Sequence, residues 1–204
     1  MSRGFVALLG IVLSIGFAAF AYGTEGFRVV TSQGARQLAI ARAPLAVPPV
    51  ALVDQGGVSF SIDDYRGKTL LVEFIYTRCP TLCSVLGDEF SQVRALVGGA
   101  AMERDIEFLS ISFDSRNDDR QALQLYADRY GATAPQWRIA MPVERDDLAA
   151  LLQTFGVVVI PDGIGGFVHN GAIYLVDASG RLVRIIGPET PAQVVAAAVG
   201  VFPP

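Results

Sequence analysis

Imidazole and thiol are scarce in this chain: among 204 residues there is one histidine, His169, and there are two cysteines, Cys79 and Cys83. With so few soft or imidazole ligands to distribute, their positions carry most of the chemical information. Blocks of one charge are also missing. Sixteen basic and twenty acidic residues are scattered, giving a formal charge of −4, so there is no basic stripe of the kind that nucleic acid binding needs. No internal repeat and no low-complexity stretch is present, which leaves a single globular domain with appendages as the organisation to test.

The hydrophobic share of 51% is high for a soluble protein. Part of it lies in one block. Phe5 to Tyr22 runs eighteen residues without a charge, preceded by Arg3, and is expected to direct export. Its length barely spans a bilayer core, while Ala19-Phe20-Ala21 has the small-x-small pattern of a signal-peptidase site. Residues 1–23 therefore read as a signal anchor or a cleaved signal peptide. Residues 24–49, with Pro44, Pro48 and Pro49, read as a tether that could hold one short helix. The folded domain is expected over 50–204.

Within that domain Asp54-Gln55-Gly56-Gly57 marks a hairpin turn. Thr69 to Tyr76 is a nearly continuous apolar run, broken by Glu73, of the kind a central strand buried on both faces shows. Leu86, Phe90, Val93 and Val97 then recur at helical spacing, which predicts a helix starting near Thr81. Phe108 to Phe113 predicts a second central strand, Asp118 and Asp119 open a helix toward Tyr130, and Glu144 to Phe155 predicts another helix. Gly156 to Gly171 reads as a glycine-rich loop. Ala172 to Val176 and Leu182 to Ile186, joined by Asp177-Ala178-Ser179-Gly180, predict an antiparallel hairpin before a closing helix at 190–199. This order is that of an α/β, thioredoxin-like fold: a central mixed sheet flanked by helices, here with an N-terminal membrane segment.

Cys79-Pro80-Thr81-Leu82-Cys83 places two thiols four residues apart at a strand-to-helix junction. Unsatisfied amides and the helix dipole stabilise a thiolate there. The two sulfurs can converge on one ion or form a disulfide, so the pair can bind metal or exchange electrons. The plain alternative is a stabilising bridge of an exported protein, which would be a weak staple because it closes so short a loop. His169 lies between the glycine-rich loop and a predicted strand; position alone makes it an ordinary histidine.

The segments FIYTRCPTLC at 74–83, LSISFD at 109–114 and VHNGAIYLVDASGRLV at 168–183 resemble the Sco/SenC family in order and spacing, over roughly residues 50–200. The resemblance implies a thioredoxin-like copper-binding metallochaperone that assists assembly of the copper site of cytochrome c oxidase. Carried over position by position, it implies Cys79, Cys83 and His169 as ligands of Cu(I), Cu(II) or both, a donor set that suits copper and would leave zinc one protein ligand short. The alternative is a periplasmic thiol:disulfide oxidoreductase, with Cys79 and Cys83 as a redox-active pair acting on cysteines of the oxidase copper site or other exported thiols. The implied partners are a copper-receiving oxidase subunit and a periplasmic thiol reductant or copper donor, and the implied location is the periplasmic side of the inner membrane.

This chain departs from the family in having Val168 before the histidine, where an acid is common, and Ser115 after Asp114, where proline is usual. Asp114 and Tyr76 are candidates to line the pocket, each with an ordinary structural reading. Glu73 lies six residues before Cys79, the offset at which thioredoxins carry a buried acid. It is either a proton carrier for thiol chemistry, raised in pKa by burial, or the more ordinary case of a carboxylate at a partly exposed sheet position. Met102 and Met141 are read as packing or surface residues that lie outside the predicted site, with weak copper ligation as the alternative, and Trp137 as a core or site-adjacent aromatic.

Overall fold

A computed structural model describes residues 3–24, 31–79, 82–103, 105–187, 191–198 and 200, with the backbone alone at 3, 6, 7, 82–86 and 98–103. The chain divides into two compact units, Met1–Arg42 and Ala43–Pro204.

The first unit holds helix α1 (Arg3–Gly23) and helix α2 (Ser32–Arg42). The uncharged block lies within one helix of 21 residues that begins at Arg3, about 31 Å long at 1.5 Å per residue. Leu9, Val12, Leu13 and Phe17 are exposed on it. Among the described residues no helix is long and apolar enough to cross a membrane, so the membrane segment expected at residues 5–22 is not shown by the fold. The stretch expected as a tether contains α2 and, at its far end, a sheet strand of the second unit.

That strand is β1 (Leu45–Ala46), and it joins a mixed sheet with β2 (Ala51–Asp54), β3 (Ser59–Ser61), β4 (Thr69–Ile75), β5 (Ile106–Ser112), β6 (Trp137–Pro142), β9 (Ile173–Val176) and β10 (Arg181–Ile186). The order is β1-β10-β9-β4-β5-β6-β2-β3. β4, β5 and β6 run parallel, while β9 lies antiparallel against β4. The parallel strands need helical crossovers, supplied by α3 (Leu82–Glu103) and α4 (Arg120–Tyr130). α5 (Arg145–Phe155) and α6 (Pro191–Ala198) complete the helices.

β4 and β5 lie in the middle of the sheet, and nearly every side chain on them is buried, which is why their sequences read as continuous runs rather than alternating ones. Phe90, Val93 and Val97 turn one stripe of α3 into the core. The Asp177–Gly180 turn joins β9 and β10 as expected, with Asp177 Oδ1 accepting from the Ser179 and Arg181 amides at 2.9 and 3.0 Å.

Three expectations are corrected. The 156–171 segment is not simply a loop: β7 (Val159–Pro161) and β8 (Phe167–His169) pair antiparallel as a separate two-stranded sheet. The Asp162 carboxylate closes their turn, accepting from the Ile164 and Gly166 amides at 2.8 and 2.9 Å, and Gly163 and Gly165 take the positive φ it requires. Helix α4 is capped by Asp119 alone, whose side chain accepts from the Ala122 amide; Asp118 turns inward instead. Glu73 is fully buried, not partly exposed. Trp137 belongs to the core, and Met141 sits in β6 opposite Val53. The side chain of Met102 lies outside the described residues.

Candidate functional site

In a sheet of this kind the carboxyl ends of the parallel strands are where loops meet and ligands bind. β4 ends at Ile75, and Tyr76 to Cys79 form the loop that follows. The Cys79 amide donates to the Tyr76 carbonyl at 3.2 Å, which closes the loop into a tight turn, and Cys79 itself is 8% exposed. Cys83 falls in the first turns of α3, as the spacing predicts; its side chain, together with Pro80 and Thr81, lies outside the described residues.

The loop after β5 holds the thiol loop in place through two aspartates. Asp118 is 4% exposed. Its Oδ2 accepts from the Thr77 amide at 2.9 Å and from the Ser112 hydroxyl at 2.5 Å, and its Oδ1 accepts from the Thr77 hydroxyl at 2.6 Å. Asp114, also buried, accepts from Arg78 Nη2 at 3.1 Å and from Asn117 Nδ2 at 2.8 and 2.9 Å. Residues 77 and 78, immediately before Cys79, are thus each tied to a different carboxylate. Hydrogen bonds that satisfy buried carboxylates are stronger than neutral ones and fix geometry. The sequence marks Asp114 as a pocket candidate, whereas Asp118 reads there only as part of a helix start.

His169 reaches the same end of the sheet from the other direction. Because β9 runs antiparallel to β4, the residues that precede β9 are delivered to the end of β4 where the thiol loop begins. His169 ends β8 and is 9% exposed. Its ring meets Phe113 edge to face at 5.0 Å between centroids and Tyr76 at 6.2 Å. Tyr76, Phe113 and Phe167 pack against one another at 5.3 to 5.5 Å. Burial pushes the imidazole below its ordinary pKa of 6.5, because removing water disfavours the charged form. A neutral imidazole is the form that binds a metal ion.

Glu73 occupies a different place. Strand alternation points Phe74 toward Phe155 of α5 and Tyr174, and Glu73 toward the opposite face, where Phe90 of α3 packs on Trp137 and Phe108. There Ser110 Oγ donates to Glu73 Oε1 at 2.6 Å, and Trp137 Nε1 donates to Ser110 Oγ at 2.9 Å. Among the described residues Glu73 Oε2 has no hydrogen-bond partner. Burial, with a smaller contribution from the Glu89 charge, pushes the carboxyl pKa up to about 8, against the lowering effect of the Ser110 hydrogen bond. At neutral pH Glu73 therefore holds its proton. It lies under the helix that carries Cys83 and outside the aromatic pocket of His169.

The sequence model of the SCO1/SenC family matches residues 40–201. A SCO1 protein homolog from Bacillus subtilis (strain 168) is 24% identical over 140 residues, 68% of this chain and 72% of the relative. The structure of Bradyrhizobium japonicum ScoI with copper bound is 25% identical and superposes with a TM-score of 0.64, covering 78% of this chain and 99% of that one. BsSco, a member of the Sco family of cytochrome c oxidase assembly proteins in which a disulfide switch is identified, superposes with a TM-score of 0.66 at 22% identity, covering 77% and 93%. These superpositions carry the thioredoxin-like fold.

Proposed function

Since the chain belongs to the SCO1/SenC family, we propose that it is a copper-binding metallochaperone that assists assembly of the copper site of cytochrome c oxidase. Cys79, Cys83 and His169 are its ligands. The observation that carries this reading is the delivery of the chain's one histidine, buried and kept neutral, to the strand end that bears Cys79. A dithiol reductant has no use for that imidazole, whereas a copper site gains a third donor from it. Thiolates suit Cu(I), and two thiolates with one imidazole also suit Cu(II). Copper is the cargo, so the bond that forms on a receiving subunit replaces one that breaks here, ligand by ligand. Copper-bound B. japonicum ScoI supports the reading.

The receiving partner is the copper-accepting subunit of the oxidase, and a periplasmic thiol reductant or copper donor prepares the protein for each transfer. The protein sits at the periplasmic side of the inner membrane, held by α1 or exported through it as a cleaved signal. The uncharged run Phe5 to Tyr22 within that helix and its exposed apolar side chains support this placement. The domain boundaries follow: an export segment to about residue 23, a connecting stretch, and the copper-binding domain to the C-terminus.

One observation favours a second reading, a thiol:disulfide oxidoreductase acting on oxidase or other exported thiols. Glu73 is a buried acid on the strand leading to Cys79, and its raised pKa would let it exchange a proton near neutral pH. The deciding experiment measures copper stoichiometry and affinity of the full-length reduced protein in detergent under anaerobic conditions, beside His169→Ala and Cys79→Ser. One tightly bound copper, greatly weakened in both variants, supports the chaperone. No tight copper, with the two cysteines cycling readily between dithiol and disulfide, leaves the oxidoreductase.

A further inference from the structure

The two halves of the candidate site arrive on separate elements, and one residue touches both, the thiol half through its backbone and the hairpin through its side chain. Tyr76 lies three residues before Cys79 and its carbonyl accepts the Cys79 amide. Its ring stands edge-on to Phe167 at 5.3 Å and to His169 at 6.2 Å. Its hydroxyl lies between the Phe167 carbonyl, to which it donates at 3.4 Å, and the Phe167 amide, from which it accepts at 3.5 Å. Each hydrogen bond is long, and each is weak alone. Together with the ring contacts they span the backbone two residues before His169. The neighbouring residue is shaped to allow this approach: a Cβ on Gly166 would stand 3.3 Å from the Tyr76 hydroxyl oxygen and 2.6 Å from Asp162 Oδ2.

We propose that Tyr76 is a positioning residue that latches the β7–β8 hairpin onto the thiol loop and so fixes His169 relative to Cys79. The inference rests on the copper reading for its consequence but not for its geometry. The β7–β8 sheet has only two strands, and isolated pairs of strands are marginal in water. Its hydrogen bonds alone do not set where His169 sits relative to β4. The three-ring cluster supplies that registration, and the Tyr76 hydroxyl adds the directional part that a phenylalanine in the same cluster would lack. Asp118 and Asp114 fix the base of the thiol loop; Tyr76 connects that base to the hairpin.

The test has two arms. In the copper-free protein, hydrogen exchange of the Phe167 amide and its hairpin neighbours is compared between wild type, Tyr76→Phe and Tyr76→Leu. The latch predicts faster exchange in Tyr76→Phe by roughly 2- to 10-fold, the range expected for one net hydrogen bond, and a larger increase in Tyr76→Leu, with exchange in β5 unchanged in both. In the second arm copper affinity is measured for Tyr76→Leu in the wild-type and His169→Ala backgrounds. A residue acting through His169 weakens copper in the first background and adds no further loss in the second. Unchanged hairpin exchange in both variants, or an equal loss of copper affinity in the two backgrounds, overturns the latch. If the wild-type protein fails to bind copper tightly the copper reading falls, and the exchange arm still decides the latch.

Discussion

Trp137 and Glu73 are joined through a single hydroxyl: the indole nitrogen donates to Ser110 Oγ, and Ser110 Oγ donates to the carboxyl of Glu73. All three side chains are fully buried. A carboxyl in this setting ionises near pH 8 instead of at its ordinary 4.5. Between those values the folded protein keeps a proton that the unfolded chain has released, so stability falls as pH rises through the interval and levels off above about 8. The full penalty is about 5 kcal/mol by linkage. Glu73→Gln keeps an acceptor for Ser110 and cannot ionise, so its urea-unfolding free energy should change much less with pH between 5 and 9 than that of wild type. Parallel pH profiles for the two proteins would show that Glu73 does not hold its proton in the fold.

The same chain of hydrogen bonds makes Trp137, the sole tryptophan, an optical reporter of Glu73. Placing a negative charge two hydrogen bonds from the indole alters its fluorescence without any change of fold. Wild-type emission should follow a single titration centred near pH 8. The step should vanish in Glu73→Gln and in Ser110→Ala shift or lose amplitude, since Ser110 supplies the hydrogen bond that lowers the Glu73 pKa. A step of undiminished amplitude in Glu73→Gln would assign the signal to another group.

Much of this arrangement is legible in the residue order, and the remainder has identifiable reasons for staying hidden. The run Thr69 to Tyr76 reads as a central strand because β4 is covered on both faces, and the stripe Phe90, Val93, Val97 reads as a helix face because all three point inward. Cys79 is placed at its strand-to-helix junction by those two neighbours. The β7–β8 pair escapes such reading because Ile160 and Val168, which face each other across it, are exposed, so no burial pattern marks them and the glycines dominate. Asp118 looks like a helix cap beside Asp119; only the approach of Thr77, 41 residues away, reveals it as an anchor. The strand Trp137–Pro142 follows no turn signal as clear as Asp177–Gly180. Glu73 is ambiguous in the sequence because a single acid in an apolar run says nothing about which helix covers it.

Asp118 gives a sharp test of how the thiol loop is held. Replacing it with alanine leaves the Thr77 amide and the Thr77 and Ser112 hydroxyls without their shared acceptor. The loss in unfolding free energy should be about 3 kcal/mol, within the range for stranded buried polar groups. Because Thr77 lies two residues before Cys79, alkylation of Cys79 by iodoacetamide under native conditions should also accelerate, by several-fold or more. Asp118→Asn, which retains one oxygen acceptor, should fall between. Destabilisation with Cys79 protected as in wild type would mean that the aspartate supports β5 and not the thiol loop.

Gly87 sets how closely α3 can lie on its neighbour. Four residues after Cys83, it faces α4, and a Cβ there would stand 2.8 Å from the Tyr126 hydroxyl oxygen and 2.8 Å from Tyr130 Cζ. In an open helix, glycine to alanine stabilises by about 1 kcal/mol. Here the methyl has no room, and overpacking costs of about 1–3 kcal/mol oppose the gain. Tyr126 and Tyr130 pack ring to ring at 4.6 Å, so neither can yield without displacing the other. Gly87→Ala should therefore lower the urea midpoint, and adding Tyr130→Leu should restore part of the loss by opening space beside the new methyl. A Gly87→Ala protein more stable than wild type would show that α3 and α4 separate freely, with propensity outweighing packing at this contact.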